Sequence, residues 1–236
     1  MTNRIWAWLV LGLAVAFAAS PLFSDGFNGF TKGQFPVVLD HWPAQPAPWA
    51  FSIWGVIYLW LIAGLAFGAI RRADDPDWRP ARPAMALSLA VGVPWIAVAN
   101  TAPVAATVMI AVMAGGAIMA VLRSGRHDPL WQAGPAGLYA GWLTAATGVA
   151  VAVTLSGHGI LDGQMAALAL LLAVLAVALA VQARRPSIWS YPLAVGWALL
   201  GIVVANASAA YWPTAALAAA GMAALAGHAI WQWRRR

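Results

Sequence analysis

The chain has 236 residues, 63% hydrophobic and only 8% charged, whereas soluble domains carry about 25% charged residues. Its polar surface is too small for a water-soluble domain, and the absence of cysteine excludes disulfides, thiolate metal sites and cysteine nucleophiles. A net charge of +6 scattered over so apolar a chain points to membrane topology rather than to nucleic-acid binding.

The first apolar run, 5–23, predicts a membrane helix. Arg4 and Ala16-Phe17-Ala18 also fit a cleavable signal segment, but Trp6 and Trp8 suit the interfacial anchor of a retained helix. An outer loop follows over 24–48, where Pro43, Pro46 and Pro48 stiffen the approach to the second span into an extended path. This loop is expected to act as a shaped lid. In the second span, 49–70, Phe51, Trp54 and Tyr58 follow at three- and four-residue spacing and share a face. An aromatic belt at headgroup level accounts for Trp49, but Tyr58 lies nearly three turns in, where a binding surface for a flat apolar molecule accounts for it better.

Spans 83–100 and 102–122 meet at Asn100-Thr101-Ala102-Pro103. Pro103 suits a first helical turn, so a tight helical hairpin is predicted there. In the fifth span, 135–155, Gly141, Ala145 and Gly148 form a small face for close helix contact, with Tyr139 and Trp142 as an aromatic edge beside it. Runs at 164–183, 191–210 and 213–231 complete eight spans. The sixth and eighth lack deep aromatics and charges, and are expected to pack against the core or a neighbouring subunit rather than line a ligand site.

Eight spans place all twelve arginines on one side of the membrane, against Lys32 alone on the other. By the positive-inside rule both termini are then cytoplasmic. None of the seven aspartates falls within a span, so the proton relays and acid/base pairs of ion-coupled transporters and enzymes have no carboxylates to use at membrane depth. His228, near the inner end of the last span, reads as an interfacial or satisfied histidine. Asp40 with His41, and His158 with Asp162, share the outer side but lack the spacing of a metal-binding helix. No catalytic residue and no metal ligand is expected.

Two stretches resemble a known family, the tryptophan-rich sensory proteins, also called the translocator protein or peripheral benzodiazepine receptor family (TspO/MBR). One is Pro46-Ala-Pro48-Trp49-Ala-Phe51-Ser-Ile-Trp54-Gly-Val-Ile-Tyr58; the other is Tyr139-Ala-Gly-Trp142 followed by Ala146-Thr147. Trp95 in the third span also stands where the family carries a tryptophan. The resemblance covers residues 1–158, a TspO-like five-helix core with outer loop 24–48, and leaves 159–236 as three additional transmembrane helices, as in the longer bacterial relatives. The fold class implied is an all-α polytopic transmembrane bundle.

The resemblance also implies a pocket for porphyrins, haem-like tetrapyrroles and other flat hydrophobic ligands, with roles in tetrapyrrole and stress regulation. Its candidate lining is Trp54, Tyr58, Trp95, Tyr139 and Trp142, joined by Phe51 and Thr147 and capped by Trp42, Pro46 and Trp49. Ala150 replaces an asparagine usual after the Ala-Thr pair, and no sterol-recognition pattern follows the fifth span. The expected partners are the bilayer and a hydrophobic small molecule, with a homodimer or larger membrane complex open. Alternatives to a binding and sensory role are a small-molecule transporter completed by the extra helices, and a structural subunit of a larger complex.

Overall fold

The computed structural model describes residues 2–235 and contains eight helices long and apolar enough to cross a membrane. They are α1 (Asn3–Ala19), α2 (Ile53–Arg71), α3 (Arg82–Thr101), α4 (Pro103–Arg123), α5 (Gly134–Gly157), α6 (Gly163–Arg184), α7 (Ser190–Ser208) and α8 (Trp212–Trp233). The described residues contain no strand. Only Ala102 separates α3 from α4, and Pro103 opens α4. The second span starts later as an α-helix than its hydropathy suggests, because Pro48–Ser52 first form a 3-10 turn. At the start of the fifth span, Pro129–Ala133 wind as a wider π turn before α5 begins.

α5 is the axle of the bundle. It is surrounded by α2, α4, α6 and α7, while α1 closes on α2 and α3, and α8 covers α6 and α7. In a bilayer, lipid tails are as apolar as leucine, so helices associate through close van der Waals fit and hydrogen bonds rather than through hydrophobic burial. The small residues of α5 meet that requirement. A Cβ on Gly141 would run into the Tyr191 carbonyl of α7, and one on Gly148 into Val174 of α6. Several polar side chains within the spans are paired across helix contacts: Ser88 donates to the Met113 carbonyl at 2.7 Å, Thr144 meets the Tyr191 hydroxyl at 3.0 Å, and Trp95 Nε1 donates to the Ala106 carbonyl at 2.9 Å. The last bond fixes α3 to α4 just after Pro94, whose ring removes one backbone donor from α3.

The helix ends sort into an arginine-rich end and a loop end. At the first, Arg4 pairs with Asp74 and Arg72 with Asp128, each at 2.9 Å, and Arg82 donates to the carbonyls of Asn3, Arg72 and Ala73. At the loop end, α5 and α7 both stop with a residue in the left-handed region. Gly159 (φ 70°) follows α5, where Gly159 N donates to Ser156 O and Ile160 N to Leu155 O. Ala210 (φ 61°) follows α7, with Ala210 N donating to Ala207 O and Tyr211 N to Asn206 O. The two caps are the same, yet only one carries the residue without a Cβ that this conformation favours.

Ala210→Gly should therefore raise the apparent melting temperature of the detergent-solubilised protein, by a stabilisation of about 0.5–1 kcal/mol, and Gly159→Ala should lower it. A second expectation concerns acid. The Arg72 guanidinium holds the Asp128 carboxyl below its ordinary value near 3.8, with a further hydrogen bond from Trp78 Nε1. Because the folded value is the lower one, the stability of the pair is complete above the ordinary carboxylate range and is lost as pH falls through the depressed value. Melting measured down a pH series should show a decline below about pH 4 that is shallower in Asp128→Asn.

Candidate ligand-binding site

Aromatic side chains from α1, α2, α3, α5 and the 24–52 segment form one connected cluster at the loop end. Trp54 stacks on Tyr58 with ring centres 5.3 Å apart, and the edge of Phe17 from α1 meets both, at 5.6 and 5.2 Å. Tyr139 closes this deeper layer 5.9 Å from Phe17. Toward the loop, Trp54 and Phe51 each present an edge to Trp142, at 6.1 and 5.6 Å, and Phe27 joins Phe51 to Trp95, at 6.0 and 4.9 Å. Edge-to-face contacts of this kind are worth about 0.5–1.5 kcal/mol beyond the area they bury.

The cluster walls a small cavity. Phe51, Trp54, Trp95 and Trp142 form its sides, Pro46, Phe27, Phe30 and Gln45 its roof, and Ala145, Val149 and Ala198 of α5 and α7 its back. Its free volume is about 30 Å³, enough for a water or two and far below the roughly 300–1,000 Å³ of a site for a drug-sized ligand. The described state is closed over its own aromatic rings. Trp142 is 2% exposed and its indole N–H has no hydrogen-bond partner, in a wall of otherwise apolar groups. An unpaired buried donor costs about 1–3 kcal/mol, and an acceptor brought in by a ligand would recover it.

Of the residues singled out from sequence, Pro46, Phe51, Trp54, Trp95 and Trp142 line this cavity. Tyr58 and Tyr139 form the layer beneath it, and Tyr139 is bonded to Ser88 at 3.0 Å. Thr147 turns back onto its own helix, donating to Leu143 O at 2.8 Å. Trp42 lies farther along the loop, packed 5.5 Å from Phe35 with its indole N–H unpaired. Trp49 is 41% exposed and sets its ring edge-on to Trp197 of α7 at 5.0 Å. Sequence reasoning missed Phe17, Phe27, Phe30, Gln45 and Trp197, which come from three separate parts of the chain. Gly29, next to Phe30, was one available signal: it sits at φ 111°, and a Cβ there would strike the Gln45 amide.

The roof is fastened at three places. Gln34 Nε2 donates to Ala99 O at 2.8 Å and Asn100 Nδ2 to Gly26 O at 3.1 Å, tying it to the end of α3. Val37 N donates to Gly157 O at 2.9 Å, at the end of α5. The third attachment is to α7: Asn206 Nδ2 donates to Pro43 O at 2.8 Å, Ala47 N to Gly201 O at 3.0 Å and Trp197 Nε1 to Ala50 O at 2.8 Å. Within the roof, Gln45 accepts from Phe30 N at 3.0 Å and donates back to Phe30 O at 3.3 Å. The outer histidines and aspartates are occupied in the same framework: Asp40 with Lys32, His41 with Asn206, His158 with Thr154 O, and Asp162 as the N-cap of α6.

A family model described as TSPO-like protein matches residues 4–231. The chain belongs to the TSPO-like protein family. Among curated proteins and among solved structures, nothing matches it. The matched stretch continues past residue 158 through α6 and α7 into the last turn of α8, and the roof of this TSPO-like protein is held partly by α7. The additional helices thus bear on the cavity in the first five.

Trp197→Phe keeps the packing against Trp49 but removes the bond to Ala50 O, a loss of about 1 kcal/mol. Amide hydrogen exchange over residues 24–52 should quicken several-fold in this variant while exchange in α5 stays unchanged. Equal quickening in both would mean that the bond stabilises the whole bundle rather than the roof.

Proposed function

We propose that this TSPO-like protein is a membrane-embedded binding and sensory protein for flat hydrophobic ligands of the porphyrin or tetrapyrrole class, taken up between the aromatic walls when the roof lifts. The observation that carries the proposal is the unpaired indole N–H of Trp142 in the aromatic wall of the cavity. Flat rings offer π faces to Trp54, Phe51 and Trp95, and tetrapyrrole side-chain carboxylates or carbonyls offer the acceptor that Trp142 lacks. Entry requires an opening of roughly tenfold or more in volume, so occupancy is coupled to the position of the 24–52 segment. That coupling is what a sensor needs, because a ligand can shift a conformational equilibrium only through differential affinity for its two states.

Residues 1–158 supply the binding half in this reading, and 159–236 brace its roof through α7. Both termini face the cytoplasm of a bacterial inner membrane, a placement that rests on the arginines gathered at one end of the bundle. Cysteine at Ser187, an exposed residue between α6 and α7, should react only with reagents that reach the cytoplasm. One at Ser208, exposed at the opposite end of α7, should react from outside.

Titration of the purified protein with protoporphyrin, followed by porphyrin absorbance and tryptophan quenching, tests the site. Trp54→Leu and Trp142→Leu should weaken binding on the order of tenfold. Trp142→Phe, which keeps a ring but removes the donor, should cost a smaller factor of about five. Trp231→Leu, at the far end of α8, should bind like the wild type. Equal and small effects at Trp54, Trp142 and Trp231 would return the aromatics to the role of an interfacial belt.

A further inference from the structure

At the arginine-rich end, away from the aromatic cavity, an open groove of about 630 Å³ lies between the α4–α5 connection and the α6–α7 connection. Arg126, Arg184 and Arg185 are among its lining residues, together with Ser187 and Ser190, and no acidic residue lines it. Three arginines at this end have visible work: Arg4 and Arg72 pair with aspartates, and Arg82 holds three carbonyls. Arg126 and Arg184 are exposed, and neither has a carboxylate partner among the described residues. Asp77, beside the Arg126 backbone, is engaged by His127 at 2.8 Å and by the Arg126 backbone N–H at 3.2 Å.

Arg185 is set into the wall, with its guanidinium donating to Leu122 O at 2.9 Å and to Ser124 O at 2.8 Å. Its charge is partly desolvated there and pressed by that of Arg126. Helix starts (α5, α7) and helix ends (α4, α6) both meet at this place, so their dipoles largely offset and the arginines set the sign of the field. A concentrated positive charge without a counterion of its own calls for an anion.

Trp189 belongs to this groove and also to a second one. The second is an open, almost wholly apolar channel of about 400 Å³ between α7 and α8, with Leu193, Gly196, Leu200 and Leu225 among its lining residues. Leu193 and Leu200 are exposed there, and a side chain on Gly196 would meet nothing within 4 Å. A basic headgroup-sized groove thus runs past one tryptophan into an apolar chain-sized groove on the lipid-facing side of the bundle. We propose that the two grooves together form a site for one anionic phospholipid, with its phosphate among Arg126, Arg184 and Arg185 and one acyl chain along α7 and α8. Basic pockets between transmembrane helices suit anionic headgroups; a soluble phosphate leaves the apolar half empty, and a zwitterionic lipid brings a cation of its own among the arginines.

Native mass spectrometry of the detergent-solubilised full chain, offered equal amounts of phosphatidylglycerol and phosphatidylcholine with identical acyl chains, tests the proposal. Preferential retention of phosphatidylglycerol is expected. Each basic residue near an anionic headgroup contributes on the order of fivefold in affinity, so R126Q/R184Q should reduce the preference on the order of twentyfold. R126K/R184K should keep it, and R71Q/R234Q, which removes the same charge elsewhere at this end, should leave it unchanged. Gly196→Phe, which fills the apolar groove, should reduce retention of phosphatidylglycerol with all arginines intact. The proposal is overturned by an equal affinity for the two lipids, by an equal loss in R71Q/R234Q, or by unchanged retention in Gly196→Phe. Displacement of the lipid by millimolar glycerol 3-phosphate would also overturn it, since the groove would then be a site for soluble anions.

Discussion

Gly137 and Gly141 let α7 approach α5 until side chain and backbone of one helix touch backbone of the other, and the position of the long loop over the aromatic cavity follows from that approach. At Gly137 the obstacle to any Cβ is Ser190, whose hydroxyl donates to Gly134 O at 2.7 Å; at Gly141 it is the carbonyl of Tyr191. Close contact of this kind is the main source of helix association where lipid competes for every apolar surface. With its first turn anchored on α5, α7 brings Trp197, Gly201 and Asn206 beneath the long loop, where they hold Ala50, Ala47 and Pro43. A larger residue on α5 would push α7 outward and withdraw those attachments from the roof.

Polar groups in the interior of the bundle mark where packing is finished and where it is not. Most are closed by a neighbour, as Ser88 is by Met113 and Thr144 by Tyr191. Among the described residues, four buried side-chain atoms have none: the indole nitrogens of Trp42 and Trp142 and the amide oxygens of Gln182 and Gln232. The two glutamines lie in the α6–α8 contact with His228, where Gln232 Nε2 bridges to Gln182 O at 3.3 Å and to His228 Nε2 at 3.0 Å. Trp142 differs from them because it stands in a cavity wall, so its missing partner can arrive with a ligand rather than from the fold.

Under the proposed function, a closed cavity of about 30 Å³ would make binding and loop position two readouts of one equilibrium. Lifting the roof breaks hydrogen bonds to α3, α5 and α7 and separates the rings of Phe27 and Phe51, so a ligand must replace that contact energy with its own. Flat aromatic molecules are suited to the exchange, because they restore ring contacts to the same side chains. Prolines alone do not close the loop: they restrict its path, and its position is set by the three attachments.

Much of the bundle was legible in sequence because a membrane imposes local rules. Twenty apolar residues must form a helix to satisfy their own backbone, and the arginine-bearing connections alternate with the others, which is why the eight spans and the one-residue α3–α4 turn can be read directly. The stripe of Trp54 and Tyr58 was legible for the same reason, as helix periodicity places them together wherever the helix goes. Phe17, Phe27, Gln45 and Trp197 carry no such local mark. Their places in and around the cavity depend on which helices become neighbours, and the small faces of α5 contribute to that through contacts made far apart in the chain. Sequence by itself determined the spans, their alternating polarity and the aromatic stripes. Only the tertiary structure decided that α7 braces the roof, because helix association in lipid is settled by the fit of whole surfaces rather than by hydropathy.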